Sequence, residues 1–117
     1  MSAGDWKELY KAVAEGGFAL VQLHTKNGVN LNYQHPEILV TVLVTAIRCG
    51  HSEMALYLIE NGADPKLESY FDQLTPLEAA LKYKNKAVLD KLNEMGVRPS
   101  LFKKLFIRLK THLAPEH

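Results

Sequence analysis

The spacing of apolar residues predicts a first pair of short helices near the start of the chain. Residues 5–15 carry apolar side chains at the i, i+3, i+4, i+7 and i+8 spacing of a helix with one buried face. The side chains on that face are Trp6, Leu9, Tyr10, Val13 and Ala14. Gly16-Gly17 ends this helix, and residues 18–26 form the second predicted helix, which stops at Asn27-Gly28.

The same arrangement of helix pairs and polar connectors follows twice more. The further predicted helices are one that ends near residues 48–49, then residues 52–61, 76–83 and 86–94. The connectors are residues 29–40 and 65–74. The first has a polar centre, residues 32–36, that suits a turn at the surface, so we expect it to project rather than to pack. Thr75 and Pro76 suit a helix start, because threonine can cap it and proline lacks a donor there.

Equivalent residues recur every 34 positions along the chain. The three series are Leu9, Leu43 and Leu77; Ala12, Ala46 and Ala80; and Gly28, Gly62 and Gly96. Three copies of one helix-pair unit therefore fill most of the chain, and repeats of this length stack into a solenoid. Gly28 and Gly62 each suit the left-handed backbone that often ends a helix.

Three motifs resemble those of the ankyrin-repeat family. They are Thr75-Pro76-Leu77-Glu78-Ala79-Ala80, Gly50-His51 and Gly62-Ala63-Asp64, and the resemblance covers residues 5–98. It implies an all-α ankyrin-repeat solenoid of stacked helix pairs with β-turn fingers. Within residues 1–98, the three units would be residues 5–38, 39–72 and 73–98. The resemblance also implies a non-catalytic module that binds another protein.

The chain departs from the family pattern at two kinds of position. The histidine expected after the motif leucine is replaced by Tyr10, Val44 and Glu78, so we expect its hydrogen-bond network to be lost. Leu39 and Gln73 stand where the family has a finger glycine. Because each connector also holds a surplus residue, we expect irregular fingers.

A period of 34 residues also fits tetratricopeptide repeats. Trp6-Lys7-Glu8-Leu9 resembles the opening of that motif. The next glycine of the motif is absent, however, and Tyr10 falls one place early. Nothing in the second or third unit supports the pattern, so we reject this family.

The ankyrin resemblance places the binding residues on a concave surface formed by the first helices and the fingers. The predicted partner-binding residues are Trp6, Glu15, Tyr33, His35, Glu37, Val40, Arg48, Cys49, Tyr70, Phe71, Asp72, Leu74, Lys82 and Tyr83, with Ala14 beside them. Tyr33, His35 and Tyr70 are expected near the finger tips. The others are expected to face outward.

Aromatic and arginine side chains in this set favour a protein interface, because such side chains dominate binding hot spots. Some of the same residues also have a structural interpretation. Trp6, Phe71 and Leu74 would each be core residues if they lie at the boundaries between units.

Composition narrows the possible functions. The chain is 47% hydrophobic and 23% charged, which is typical of a globular domain, and its net charge of +1 argues against a general nucleic-acid binder. The single cysteine, Cys49, permits no internal disulfide framework and fits a reducing compartment. Because the sequence shows no signal peptide and no stretch long enough to span a membrane, we expect a cytoplasmic protein. We also expect a monomer.

No motif in the chain predicts catalysis, a cofactor or a metal ion. His24, His35 and His51 lie in different units and lack the spacing of metal ligands. Cys49 has no sequence neighbour that would activate a thiol, and there is no glycine-rich phosphate loop. An enzyme needs a nucleophile, a base and a stabilising group together, so we expect a non-enzymatic protein.

Residues 99–117 leave the repeat pattern and predict one basic amphipathic helix. Its apolar stripe comprises Leu101, Phe102, Leu105, Phe106, Leu109 and Leu113, with Lys103, Lys104 and Lys110 outside it. We expect this helix to cap the open side of the third unit, as every solenoid needs a capped end.

Taken together, the sequence predicts a protein-binding module that uses its concave face, as an inhibitor or immunity-type protein would. The alternative is a binder of acidic membrane surfaces or of a calmodulin-like groove through the C-terminal helix.

Overall fold

A computed structural model describes residues 3–98 of the chain, with side chains from Asp5 onward. It contains the helices α1 (Ala3–Glu15), α2 (Phe18–Lys26), α3 (Val42–Arg48), α4 (Ser52–Glu60), α5 (Pro76–Lys82) and α6 (Lys86–Glu94). Over these residues there is no β-strand, and the only β-type pairing is an isolated bridge between Ser69 and Leu74. The predicted all-α fold of three helix pairs is confirmed.

The helix pairs stack with their first helices side by side. α1 packs against α3, and α3 packs against α5, while α4 packs against α6 in the second layer. The residues of the leucine and alanine series all lie in the core. The alanine of the series in each first helix lets neighbouring helices approach closely, because its side chain adds only a methyl group to the interface. The 34-residue period therefore reflects one packing solution used three times.

Each helix pair is joined by the same tight turn. The amide groups of Gly17, His51 and Asn85 donate hydrogen bonds to the carbonyl groups of Ala12, Ala46 and Ala80, at 2.8, 2.9 and 2.9 Å. The preceding residue in each turn has a left-handed backbone, with φ of 77° at Gly16, 78° at Gly50 and 54° at Lys84. Only the third unit places a residue with a Cβ atom in this conformation, which costs about 1–2 kcal/mol. The third turn is therefore strained.

Replacing Lys84 with glycine is expected to raise the free energy of unfolding by about 0.5–1 kcal/mol, since relief of backbone strain outweighs the added freedom of the unfolded chain. Urea unfolding of the variant measures this gain. The matched control is Gly50→Lys, where a Cβ atom would meet nothing within 4 Å, so the backbone alone should lower stability by a similar amount. A Lys84→Gly chain less stable than the parent would show that the lysine side chain matters more than its backbone.

Threonine caps two of the first helices. The amide of Val44 donates to Thr41 Oγ1 at 3.1 Å. In α5 the arrangement is reciprocal, because the amide of Glu78 donates to Thr75 Oγ1 at 3.2 Å and the amide of Thr75 donates to Glu78 Oε1 at 2.9 Å. Glu78, which replaces the family histidine, thus completes a capping box in the third unit.

The expectation that the first connector, residues 29–40, projects without packing is wrong in part. Leu31, His35 and Ser69 are buried, so each connector has side chains anchored in the interior. Leu39 and Gln73 adopt left-handed backbone conformations, with φ of 57° and 55°, at the positions where the family has glycine. Leu39 and Gln73 therefore adopt the left-handed backbone conformation that glycine usually provides in a turn.

The predicted capping helix, residues 99–117, lies outside the described residues. Leu81 is 41% exposed, whereas the equivalent Val13 and Ile47 in the first two units are buried. The exposed side chain of Leu81 is apolar surface that a further element of the helix stack would cover. The cap remains a proposal.

Candidate protein-binding surface

The surface that the resemblance predicts for binding comprises two connectors and the exposed sides of α1, α3 and α5. We call residues 29–40 finger 1, residues 65–74 finger 2, and the whole surface the finger face. Because α1, α3 and α5 pack side by side, equivalent residues in successive units form rows across this face. The geometry of the fingers decides which side chains the face presents.

Backbone and side-chain hydrogen bonds fix finger 2 against finger 1. The amide of Phe71 donates to the carbonyl of Leu39 at 2.8 Å. The hydroxyl of Ser69 accepts a hydrogen bond from the amide of Thr41 at 3.0 Å and donates to Asp72 Oδ2 at 2.7 Å. Ser69 is buried, so this link is shielded from water. The two fingers therefore form one unit of surface.

Two side-chain amides of finger 1 clamp the backbone of the next unit. Gln34 donates through Nε2 to the carbonyl of Glu68 and accepts through Oε1 from the amide of Tyr70, both at 3.0 Å. Asn32 donates through Nδ2 to the carbonyl of Gly62 at 3.0 Å and accepts from the amide of Asp64 at 2.7 Å. Each side-chain amide group uses both its donor and its acceptor on one neighbouring segment of the backbone. Sequence reasoning missed these two residues.

The fingers present a group of exposed apolar side chains. Phe71 is 75% exposed and Tyr70 is 57% exposed, and Leu39, whose carbonyl accepts from Phe71, is exposed too. We call these three residues the finger patch. Contiguous exposed apolar side chains on a folded protein commonly mark an interaction site. Leu39 was not among the predicted binding residues.

The C-terminal turns of the first helices add charged side chains to the face. Arg48 and Lys82 are exposed, and Lys82 Nζ lies 5.5 Å from the centre of the Tyr83 ring, which is also exposed. In the first unit Glu15 is exposed, and the equivalent Cys49 in the second unit is half-buried. Glu37 is exposed as well, and its Oε1 lies 3.3 Å from Lys7 Nζ.

The expectation that Trp6 faces outward is wrong. Its side chain is 0% exposed, and the ring stacks on Tyr10 with centroids 5.5 Å apart and on His35 at 6.0 Å. Tyr33 meets the same ring edge-on at 5.9 Å. The aromatic rings of α1 and finger 1 thus pack on one another in the first unit. Trp6 is a core residue, as the alternative interpretation proposed.

Several other predicted residues lie deeper than expected. Val40 and His35 are buried, Val40 in the apolar core and His35 against Trp6, so neither side chain lies open to solvent. His35 Nδ1 accepts a hydrogen bond from the amide of Glu37 at 3.1 Å, which helps to fix the orientation of its ring. Tyr33 and Leu74 are half-buried and pack against the core. Sequence register places a residue on a face, but it does not settle where a side chain turns.

Among residues 3–98, the structure brings together no group of three or more His, Cys, Asp or Glu side chains that could hold a metal ion. His24 Nε2 lies 3.8 Å from Glu8 Oε2. His51 occupies the N-cap position of α4 without a side-chain capping bond, and a Cβ atom at Gly16 would lie 3.0 Å from its ring. No helix in the described part of the chain is long and apolar enough to cross a membrane.

A stack of helix pairs with fingers, fixed against one another and exposing aromatic side chains, defines a repeat protein of the solenoid class. The family model for ankyrin repeats, in three copies, matches residues 9–102. The chain therefore belongs to the ankyrin-repeat family. Ankyrin repeats are generally protein–protein interaction modules and are typically non-catalytic. A comparison with curated proteins gave no match.

Proposed function

We propose that this protein binds a partner protein through the finger patch and the exposed ends of α3 and α5. The observation that carries the proposal is the exposure of Phe71, which is 75% accessible on a finger held by hydrogen bonds to its neighbour. Covering a large apolar side chain in that position with a partner is favourable, because it removes apolar surface from water. No other described aromatic side chain is as exposed.

The energetics favour an interface at this place. Covering the exposed part of Phe71 removes on the order of 100–150 Å² of apolar surface from water, which is worth about 2–4 kcal/mol. The fingers are already ordered by the bonds of Ser69 and Gln34, so little conformational entropy is lost on binding. The face is therefore suited to rigid, shape-selective recognition.

An inhibitor or immunity-type role is the finer form of the proposal. A rigid face of this kind can cover the active site of a partner and block access to it. The fold alone specifies no partner, so this role rests on the surface and not on the family. The cytoplasmic location expected from the sequence remains a prediction.

Replacing Phe71 with alanine is expected to weaken partner binding by about tenfold or more, because a central aromatic anchor is lost. The measurement is affinity capture from the native host with quantitative mass spectrometry, followed by titration of the captured protein. The thermal midpoint should barely change, since exposed substitutions usually alter stability by no more than about 0.5 kcal/mol.

The matched control is Leu20→Ala. Leu20 is also an exposed large apolar residue, but it lies on α2, a second helix, away from the fingers. Partner binding should survive this change. A partner that the Phe71→Ala chain captures as well as the parent chain does, or that is lost only with Leu20→Ala, would overturn the assignment of the finger face.

A further inference from the structure

Two cations occupy one row of the finger face. Arg48 and Lys82 are 34 residues apart, at equivalent positions in the last turns of α3 and α5, and both are exposed. Because α3 packs against α5, and the axes of packed helices usually lie about 8–10 Å apart, the two positions are neighbours in the stack. Lys84, also exposed, follows in the third unit. The row is therefore positive over the second and third units.

These cations have no acidic partner among the described residues. The lysines that form ion pairs within residues 5–98 are Lys7, Lys86 and Lys91, and neither Arg48 nor Lys82 forms one. Two acids of the fingers make other contacts. Glu37 pairs with Lys7, and Asp72 accepts from Ser69.

The charge at the equivalent positions of the row differs between the first unit and the other two. The first-unit residue equivalent to Arg48 is the uncharged Ala14, and the next residue, Glu15, is an exposed acid. The cations of the row thus lie in the second and third units, and the finger patch lies in the second unit. An anion that binds between the two cations is attracted by both, because it lies within a Debye length of each.

We infer that the partner presents a protein segment in which a carboxylate lies near a large apolar side chain. The apolar side chain covers Phe71 and Tyr70, while the carboxylate binds Arg48 and Lys82. The guanidinium group of Arg48 can bind both oxygens of a carboxylate. The inference rests on the proposed function and names the chemistry of its partner. The inference concerns the same face and adds the requirement that the partner carries a carboxylate near its apolar side chain.

A protein segment fits this face better than a nucleic acid does. Nucleic-acid binding draws its affinity from many phosphate contacts and a strong basic excess, whereas the whole chain has a net charge of +1. The finger patch is also apolar and would gain nothing from phosphates. The basic row is short and lies beside aromatic side chains, as an acidic and apolar peptide requires.

The test is selection of peptides of about 12 residues from a random display library against the full chain. The same selection is run against an Arg48→Glu/Lys82→Glu chain and against a Lys11→Glu/Lys26→Glu control. The control makes the same charge change at two exposed lysines outside the basic row. Selected peptides are then titrated by fluorescence polarisation against all three chains and against Phe71→Ala.

The parent and control chains should enrich peptides that combine Asp or Glu with Phe, Trp or Leu. Those peptides should bind the Arg48→Glu/Lys82→Glu chain at least about tenfold more weakly, and that chain should instead enrich Lys and Arg. Added salt should weaken binding to the parent chain.

Other results separate this inference from the proposed function. Peptides that lose affinity with Phe71→Ala but show no acidic preference would overturn the charge requirement and leave the finger face intact. Peptides indifferent to both Phe71→Ala and the charge reversal, or no enriched peptides at all, would overturn both. Tight binding of a labelled single-stranded DNA that is lost on charge reversal would assign the basic row to nucleic acid instead.

Discussion

Replacing Trp6 with alanine is expected to lower the free energy of unfolding by about 3–5 kcal/mol, the usual cost of removing a buried tryptophan. The side chain is 0% exposed and packs on Tyr10, Tyr33 and His35. Small domains are stable by only about 5–15 kcal/mol, so the variant should lose a large share of its stability. Urea unfolding followed by circular dichroism measures the change.

Phe71→Ala is the matched control for this prediction. It removes an aromatic ring of similar chemistry from an exposed position, so its stability should stay within about 0.5 kcal/mol of the parent. Trp6→Phe should fall between the two, since an aromatic ring remains in the cluster. If Trp6→Ala and Phe71→Ala unfold at the same urea concentration, the aromatic cluster does not stabilise the first unit.

Replacing Ser69 with alanine is expected to lower the free energy of unfolding by about 1–3 kcal/mol. Ser69 is buried, and loss of its hydroxyl leaves the amide of Thr41 without its hydrogen-bond acceptor and Asp72 without its donor. Hydrogen exchange should also quicken at the amides of Thr41 and Phe71, because the link between the fingers opens more often. Both urea unfolding and exchange rates test the result.

Ser52→Ala is the control for Ser69→Ala. The hydroxyl of Ser52 donates to Asn85 Oδ1 at 2.9 Å, but it is only part-buried, and Asn85 still accepts from the amide of Val88. Its removal should cost less than that of Ser69 and should leave exchange in the fingers unchanged. Equal losses from the two substitutions would mean that the finger link contributes nothing beyond an ordinary hydroxyl contact.

Much of the fold could be predicted from the sequence because local signals repeat. α2 and α6 begin and end where the apolar spacing and the glycines predict, since both signals act within a few residues. The 34-residue series predicted the stacking, and the ankyrin-repeat family is confirmed. The left-handed turn at Lys84 was not foreseen, because lysine gives no local signal for that conformation.

The candidate site could be predicted less well. The register placed Trp6 and Val40 on the outward surface, but whether a side chain turns inward depends on neighbours far along the chain. Trp6 turns inward because Tyr33 and His35, about 30 residues later, complete its pocket. The roles of Asn32 and Gln34 depend on backbone groups that lie 30 to 36 residues away in sequence. Their contacts leave no periodic trace in the sequence.

The amide clamps of Asn32 and Gln34 have a consequence for how such a stack can be lengthened. The residues at the equivalent positions of finger 2 are Lys66 and Glu68, which cannot each offer both a donor and an acceptor. A tandem duplication of residues 39–72 would therefore create a junction without clamps, although its helices would still be compatible. Lys66→Asn and Glu68→Gln would supply the missing clamps at that junction, so the first two units are matched to each other in a way that the second and third are not.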